Sequence, residues 1–311
     1  MPCTEEASMM TSKPVKIRVT RDRKAFNIIA YTFIILVTIV CLLPFWLVIV
    51  GSFTAESEIF SRGYSLWPNE FSLEAYQLAF KRPDEVFQAY GITVSITVLG
   101  TFLSLLMTTM CGYALQREDF KSRNFFTMFI FFTMLFNGGL VPWYLLITNY
   151  LHLKDTYWVM ILTTLINVYY IILMKNFMKT VPKELIEAAK IDGAGEFYIF
   201  FRIVIPLVKP ALASIGMFIA LGYWNEWRTG MLFLQDKRLF PLQYYLYRLL
   251  NSVEFLKNST MLVSAEISSL SFPSESLKLA MTVIATGPIV CLYPFLQKYF
   301  VKGITIGAVK G

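Results

Sequence analysis

Long stretches of this chain carry no charged side chain, and that constrains the fold more than any other feature. Ala25–Ala55, Val86–Gln116 and Asn124–Leu153 are free of Asp, Glu, Lys and Arg. Thr156–Met174 and Leu279–Gln297 are shorter runs of the same kind, and Ile203–Asn225 is interrupted only by Lys209. A helix crossing the hydrocarbon core needs about 20 mostly apolar residues. A charge at mid-bilayer costs at least ~2.5 kcal/mol. Each run has the required length or reaches it with its flanks. Charged residues make up 16% of the chain, against about 25% in soluble domains. The runs predict an all-α polytopic membrane protein with about six transmembrane helices and lipid as its main solvent.

Lys and Arg set the orientation. Of 28 in all, 18 fall on the side holding the N-terminus, the 117–123 turn, the 175–209 segment and the C-terminus. Short basic loops stay in the cytoplasm, so both termini are expected there. The basic stretch before Ala25 resembles the start of a signal peptide. The apolar run behind it is about twice the roughly 7–15 residues of such a peptide, so it is read as a retained first helix. A basic segment held against a membrane is a topology signal rather than a nucleic-acid site.

The expected layout is a disordered cytoplasmic tail over 1–24, a permease domain over 25–303 and a cytoplasmic tail over 304–311. Helix 1 is placed at about 26–53, with Pro44 as a kink, and helix 2 at about 88–115. Helix 3, at about 124–148, is interrupted at Asn137-Gly138-Gly139 and Pro142. Such breaks survive in lipid only where protein or a watery cavity satisfies the freed backbone groups. Helix 4 is placed at about 156–178, helix 5 at about 205–224 and helix 6 at about 278–300. Short helices outside the bilayer are expected near 73–80 and 240–250.

Between helices 4 and 5 lies a charged segment, 181–206, that reads as helix, turn and second helix. Pro182 suits a first helical position, and Glu184 and Glu187 sit near the positive end of the helix dipole. Gly193 can take the left-handed position after the helix, and Pro206 marks the expected entry to helix 5. Leu185, Ala188 and Ala189 share one face by spacing, and the alanines let a partner approach the backbone closely. By the residues alone, an interfacial loop helix fits as well as a docking helix.

The run Glu187-Ala188-Ala189, Asp192-Gly193-Ala194, Phe200, Ile203, Pro206-Leu207 and Pro210 resembles the EAA signature of ATP-binding-cassette importer permeases. Met174-Lys175-Asn176-Phe177-Met178 and Trp224-Asn225-Glu226-Trp227 resemble carbohydrate permeases of the maltose-transporter kind. Phe136-Asn137-Gly138-Gly139-Leu140-Val141-Pro142 and the long 226–277 region are similar to the oligosaccharide-uptake subgroup. The resemblance implies a bacterial plasma-membrane protein whose cytoplasmic coupling helix, carried by Glu187, Ala188, Ala189, Asp192, Gly193, Ala194 and Pro206, seats in an ATPase subunit. It implies as partners a second homologous permease, two ATPase subunits and an extracytoplasmic sugar-binding protein.

Several chemistries lack their residues. The chain has no Gly-Lys dipeptide, hence no G-x-x-x-x-G-K-[ST] phosphate loop. ATP hydrolysis therefore falls to another chain. The single His152 excludes a multi-histidine metal site, and Cys3, Cys41, Cys111 and Cys291 have no metal spacing. No cofactor and no enzymatic activity is expected. The alternative is an ion-coupled carrier or channel subunit, but such proteins usually hold carboxylates within the bilayer. Here the carboxylates lie outside or at the ends of the runs, Glu226 being nearest. Sugars present hydroxyls and weakly apolar CH faces, so a path for them needs aromatic and hydrogen-bonding groups. Asn137, Tyr223, Trp224, Asn225, Glu226 and Trp227 are the candidates, with Tyr223 and Trp227 on one face if the helix runs that far. An aromatic belt at the membrane interface is the competing reading.

Overall fold

The computed structural model describes residues 21–263 and 274–290. Of the expected tail over 1–24, residues 1–20 lie outside the described residues and 21–24 are already helical; the expected tail at 304–311 and the end of helix 6 beyond residue 290 also lie outside the described residues. Within them the fold is all-α. Helix α1 is Arg21–Ser52, unbroken at Pro44. Two short helices, α2 (Glu56–Arg62) and α3 (Glu74–Ala79), lead to α4, Pro83–Gln116. Its 34 residues span about 50 Å at roughly 1.5 Å each.

Among the described residues, α1 and α4 are long and apolar enough to cross a membrane. Two bent pairs raise the number to as many as four if each pair is one span. The first pair is α5 (Arg123–Leu135) with α6 (Leu140–Leu145), which continues as a π turn to Tyr150, bent by 111°. The break falls at the expected Asn137-Gly138-Gly139. Gly139 has φ +87° and its N–H donates to Asn137 Oδ1 at 2.8 Å. The second pair is α10 (Glu196–Leu207) with α11 (Lys209–Trp224), bent by 84°.

That bend corrects the expected start of helix 5. Pro206 lies inside α10, directly after a π turn over Ile199–Val204, and the chain turns at Val208. Pro210 is responsible: it has no N–H to give the Pro206 carbonyl, and its ring crowds that carbonyl. Helix 4 is also corrected. It is two short helices, α7 (Tyr157–Leu162) and α8 (Val168–Met178). Thr163 and Thr164 turn their hydroxyls back onto the Val159 and Met160 carbonyls, and Asn167 caps α8 by accepting from Tyr169 N–H. These side chains offer the backbone alternatives to a continuous helix. After α11 come α12 (Arg228–Phe233), α13 (Leu242–Val263) and a helix over 274–290, here α14.

The core forms where α8 and α11 pack along α4. The contact face of α4 is a stripe of small residues, Gly100, Ser104, Thr108 and Gly112, all buried. Spacing of four places them in one row, and small residues let membrane helices approach to backbone contact. A Cβ on Gly100 would lie 2.6 Å from the Tyr223 ring, and one on Gly112 2.9 Å from Met174. Tyr223 fills that space and donates its hydroxyl to the Ile161 carbonyl at 3.0 Å. Ile161 sits where α7 stops, so the tyrosine satisfies a carbonyl freed by the helix break.

Polar ties organise the other side of α1. Glu56 is buried and accepts from the backbone N–H groups of Glu275 and Ser276 and both serine hydroxyls beside them. It thereby caps the start of α14, where the helix dipole favours an anion. Glu58 accepts from the N–H groups of Asn69 and Glu70 and closes the loop after α2. By contrast α1 and α5 keep most of their apolar side chains exposed.

Gly100→Ala should destabilise the purified protein by about 1–3 kcal/mol, because the added methyl group pushes into the Tyr223 ring. Gly91→Ala, at an open position on the same helix, should be neutral or stabilising by up to about 1 kcal/mol. Thermal melting of both variants in detergent checks the pair.

Candidate functional site

The 181–206 segment folds as a helical hairpin at the C-terminal end of α4. Its first arm, α9, is Lys183–Ile191, with Pro182 one position earlier than expected, at the cap. Gly193 takes φ +79°. Ala194 N–H donates to Ala189 O at 2.9 Å and Gly193 N–H to Lys190 O at 3.0 Å. This paired closure ends α9 and needs a left-handed residue after the cap, which glycine accepts without steric cost. Glu187 and Asp192 stand exposed on the hairpin.

The faces of α9 divide unequally. Ile186, Ala189 and Ala194 pack against the chain's own core. Leu185 and Ala188 remain exposed, and Ile191 is 88% exposed at the tip. Ala189 therefore turns partly inward, away from the face expected to include it. An apolar tip and an alanine open to the surface make a surface that a second protein can cover.

An ion network that sequence reasoning missed holds this hairpin to the α4–α5 turn. Arg117, largely buried, donates to Glu196 at 2.7 Å and 3.1 Å and to the Tyr113 hydroxyl at 2.6 Å, and pairs with Asp119. Lys190 reaches both Asp119 at 3.0 Å and Glu196 at 3.2 Å. Lys183 pairs with Glu118. The Arg117 guanidinium, with Lys190 adding to it, holds the Asp119 carboxyl well below the usual carboxylate range. Asp119 and Glu196 in turn raise the Lys190 ammonium above its ordinary value. The sequence did carry a signal, since Arg117-Glu118-Asp119 is a charge cluster closing a run that has none.

Residues 23–306 match the family model described as "Binding-protein-dependent transport system inner membrane component". This chain belongs to that family. It is thus a membrane-embedded permease subunit of the ATP-binding-cassette importer type, not an enzyme. The permease is 38% identical over 289 residues to the polygalacturonan/rhamnogalacturonan transport system permease protein YtcP of Bacillus subtilis (strain 168), covering 93% of this chain and 99% of that protein. It is 30% identical to the arabinooligosaccharides transport system permease protein AraQ of Halalkalibacterium halodurans, covering 88% of this chain and 93% of that one. A chain from the crystal structure of a bacterial ABC transporter involved in the import of the acidic polysaccharide alginate superposes with a TM-score of 0.72 at 27% identity. It covers 90% of the permease and 98% of that chain.

The expected path residues separate into groups. Asn137 and Glu226 line one cleft of about 600 Å³, together with Gly139, Thr164 and Arg228. Tyr223 borders a smaller cleft with Thr164, Asn167 and Glu226, although most of its ring is buried against α4. Trp224 is packed in the core and donates its indole N–H to Ala285 O at 3.0 Å. The helix ends at Trp224, so Tyr223 and Trp227 do not share a helical face. Trp227 instead lies against Tyr247, ring centroids 4.9 Å apart, and Asn225 accepts from Gln243 at 3.3 Å.

Arg117→Ala should release α9 and α10 while leaving α4 helical. Hydrogen exchange over 183–204 should quicken by about tenfold or more. Because the folded Asp119 value is depressed, its stabilising contribution is complete above the ordinary aspartate value near about 3.9 and is lost as pH falls below it. Hairpin protection, corrected for intrinsic exchange, should therefore be level from about pH 5 to about pH 8 and fall only in stronger acid.

Proposed function

We propose that this permease is one of two pore-forming subunits of an ATP-driven carbohydrate importer, and that the α9–α10 hairpin is where ATPase subunits engage it. The observation that carries the reading is the hairpin itself: an exposed Leu185, Ala188 and Ile191 on a helix pinned to the bundle by Arg117, Asp119, Lys190 and Glu196. A rigidly anchored tooth with an uncovered tip transmits force, whereas a loose loop absorbs it.

Six spans are the membrane arrangement we favour. Two bent pairs join α1 and α4, the broken α7–α8 pair supplies a fifth, and α14 with the apolar run to Gln297 supplies a sixth. The hairpin end of α4 is the end with the greater share of Lys and Arg, so we assign it and both termini to the cytoplasm. The exposed apolar faces of α1 and α5 call for lipid and for a second, homologous permease. The family description supports a separate substrate-binding protein at the opposite face. YtcP and AraQ are named for polygalacturonan/rhamnogalacturonan and arabinooligosaccharide transport, and oligosaccharides are the substrate class we carry over.

We assign the sugar path to the cleft where the α5–α6 break meets Glu226. Non-helical backbone at membrane depth needs water or protein partners, and a cleft of this size with polar lining residues suits sugar hydroxyls. Asn137 and Glu226 supply hydrogen bonds there. Tyr223 forms an edge of the path, Trp224 supports it from behind, and Asn225 and Trp227 flank Glu226 in the chain. ATP-driven closure of the ATPase pair would move the hairpin as one piece and switch the path between the two faces.

Gly193→Val tests the coupling. A β-branched residue in the left-handed region costs about 1–2 kcal/mol and unseats the hairpin tip. In reconstituted importer, ATP hydrolysis should continue while sugar uptake falls by about tenfold or more. Uptake equal to that of the parent would count against the hairpin as the coupling element.

A further inference from the structure

At the end of α4 opposite the hairpin, a second cleft of about 270 Å³ is lined by Lys81, Arg82, Lys237 and Arg248 with a single carboxylate, Glu85. Glu85 is already bonded to Arg82 at 2.7 Å. Among the described residues, Lys81, Lys237 and Arg248 form no ion pair, so three uncompensated cations converge on one concavity. Such clefts focus their field and concentrate anions.

The apolar part of the lining mixes aliphatic Leu78 and Leu249 with aromatic side chains. Phe240 and Tyr245 form one wall. The Arg248 guanidinium lies 4.9 Å over the Phe240 ring and 6.0 Å over that of Tyr244. Stacking holds the guanidinium in place by a cation–π contact, and a fixed planar fork suits a carboxylate better than a point charge. Tyr245 and the two leucines beside a fixed fork match a ring that is apolar on its CH face and anionic at its rim. A stable protein interface needs about 1,000 Å² or more of fitted surface, whereas a concavity of this size admits a single small-molecule unit.

We propose that this cleft is a carboxylate-binding site that captures a uronic-acid unit of an oligosaccharide on the outer face, before the sugar enters the path. The proposal rests on the reading above of a carbohydrate importer with this end of α4 outside. It adds the class of sugar, an acidic one, and the residues that recognise it.

The test uses the full chain with its partner permease in nanodiscs, without binding protein, and titrates trigalacturonate and its methyl ester by calorimetry. The ester keeps the rings and removes the charge. Trigalacturonate should bind about tenfold or more tighter than the ester, and more weakly as salt rises from about 20 mM to about 300 mM. The triple variant K81Q/K237Q/R248Q, altered only at exposed side chains, should lose that preference, a change of about tenfold for three exposed charges. Equal affinity for acid and ester in the parent would overturn the proposal. So would inorganic phosphate competing as strongly as trigalacturonate, which makes the cleft a general anion site. A variant that keeps trigalacturonate binding but loses association with the binding protein would show a protein-docking surface instead, and would also overturn it. Failure of the importer reading is visible separately, as absence of ATP-dependent uptake of any carbohydrate by the parent complex.

Discussion

The fold hangs on the face of α4 that has almost no side chains. Gly100, Ser104, Thr108 and Gly112 let α8 and α11 come to backbone distance. In lipid, apolar burial does little to hold helices together, so close packing and hydrogen bonds must. Tyr223 illustrates both at once. Its ring fills the space over Gly100 while its hydroxyl serves the carbonyl left open at Ile161. Loss of that stripe would separate the helices that carry the broken segments, and the clefts between them would have no walls.

A long rigid helix also keeps two different chemistries apart. One end of α4 meets a hairpin whose ions are largely paired with one another, through Arg117, Asp119, Lys190 and Glu196. The other end meets a cleft where, among the described residues, Lys81, Lys237 and Arg248 form no ion pair. Paired charges fix a mechanical part in place. Unpaired charges attract something from outside. The distribution suits a machine driven from one face and loaded from the other.

Much of this was written in the sequence, and the parts that were not have physical reasons. The absence of charge marked the apolar segments, Gly193 announced a left-handed turn, and Asn137-Gly138-Gly139 announced a helix break that the structure contains. The break at 163–167 was hidden because it involves neither glycine nor proline, only threonines and an asparagine that divert hydrogen bonds. The start of α11 was misplaced because two prolines, Pro206 and Pro210, stand four residues apart, and the bend was assigned to the first of them rather than to the second. The stripe on α4 repeats every four residues and was open to view, but a search for polarity passes over small residues. Trp224 looked like a path residue by its type; burial against α14 makes it a packing residue, and only three-dimensional contacts reveal that.

The central claim is that the hairpin tip lies in the cytoplasm against a separate ATPase. The most direct measurement places a single cysteine at position 188, in a background without the four native cysteines, within the assembled importer. Thiol cross-linking should join it to the ATPase subunit, and a membrane-impermeant thiol reagent added outside intact cells should not label it. Labelling from outside, with no cross-link to the ATPase, would contradict the account.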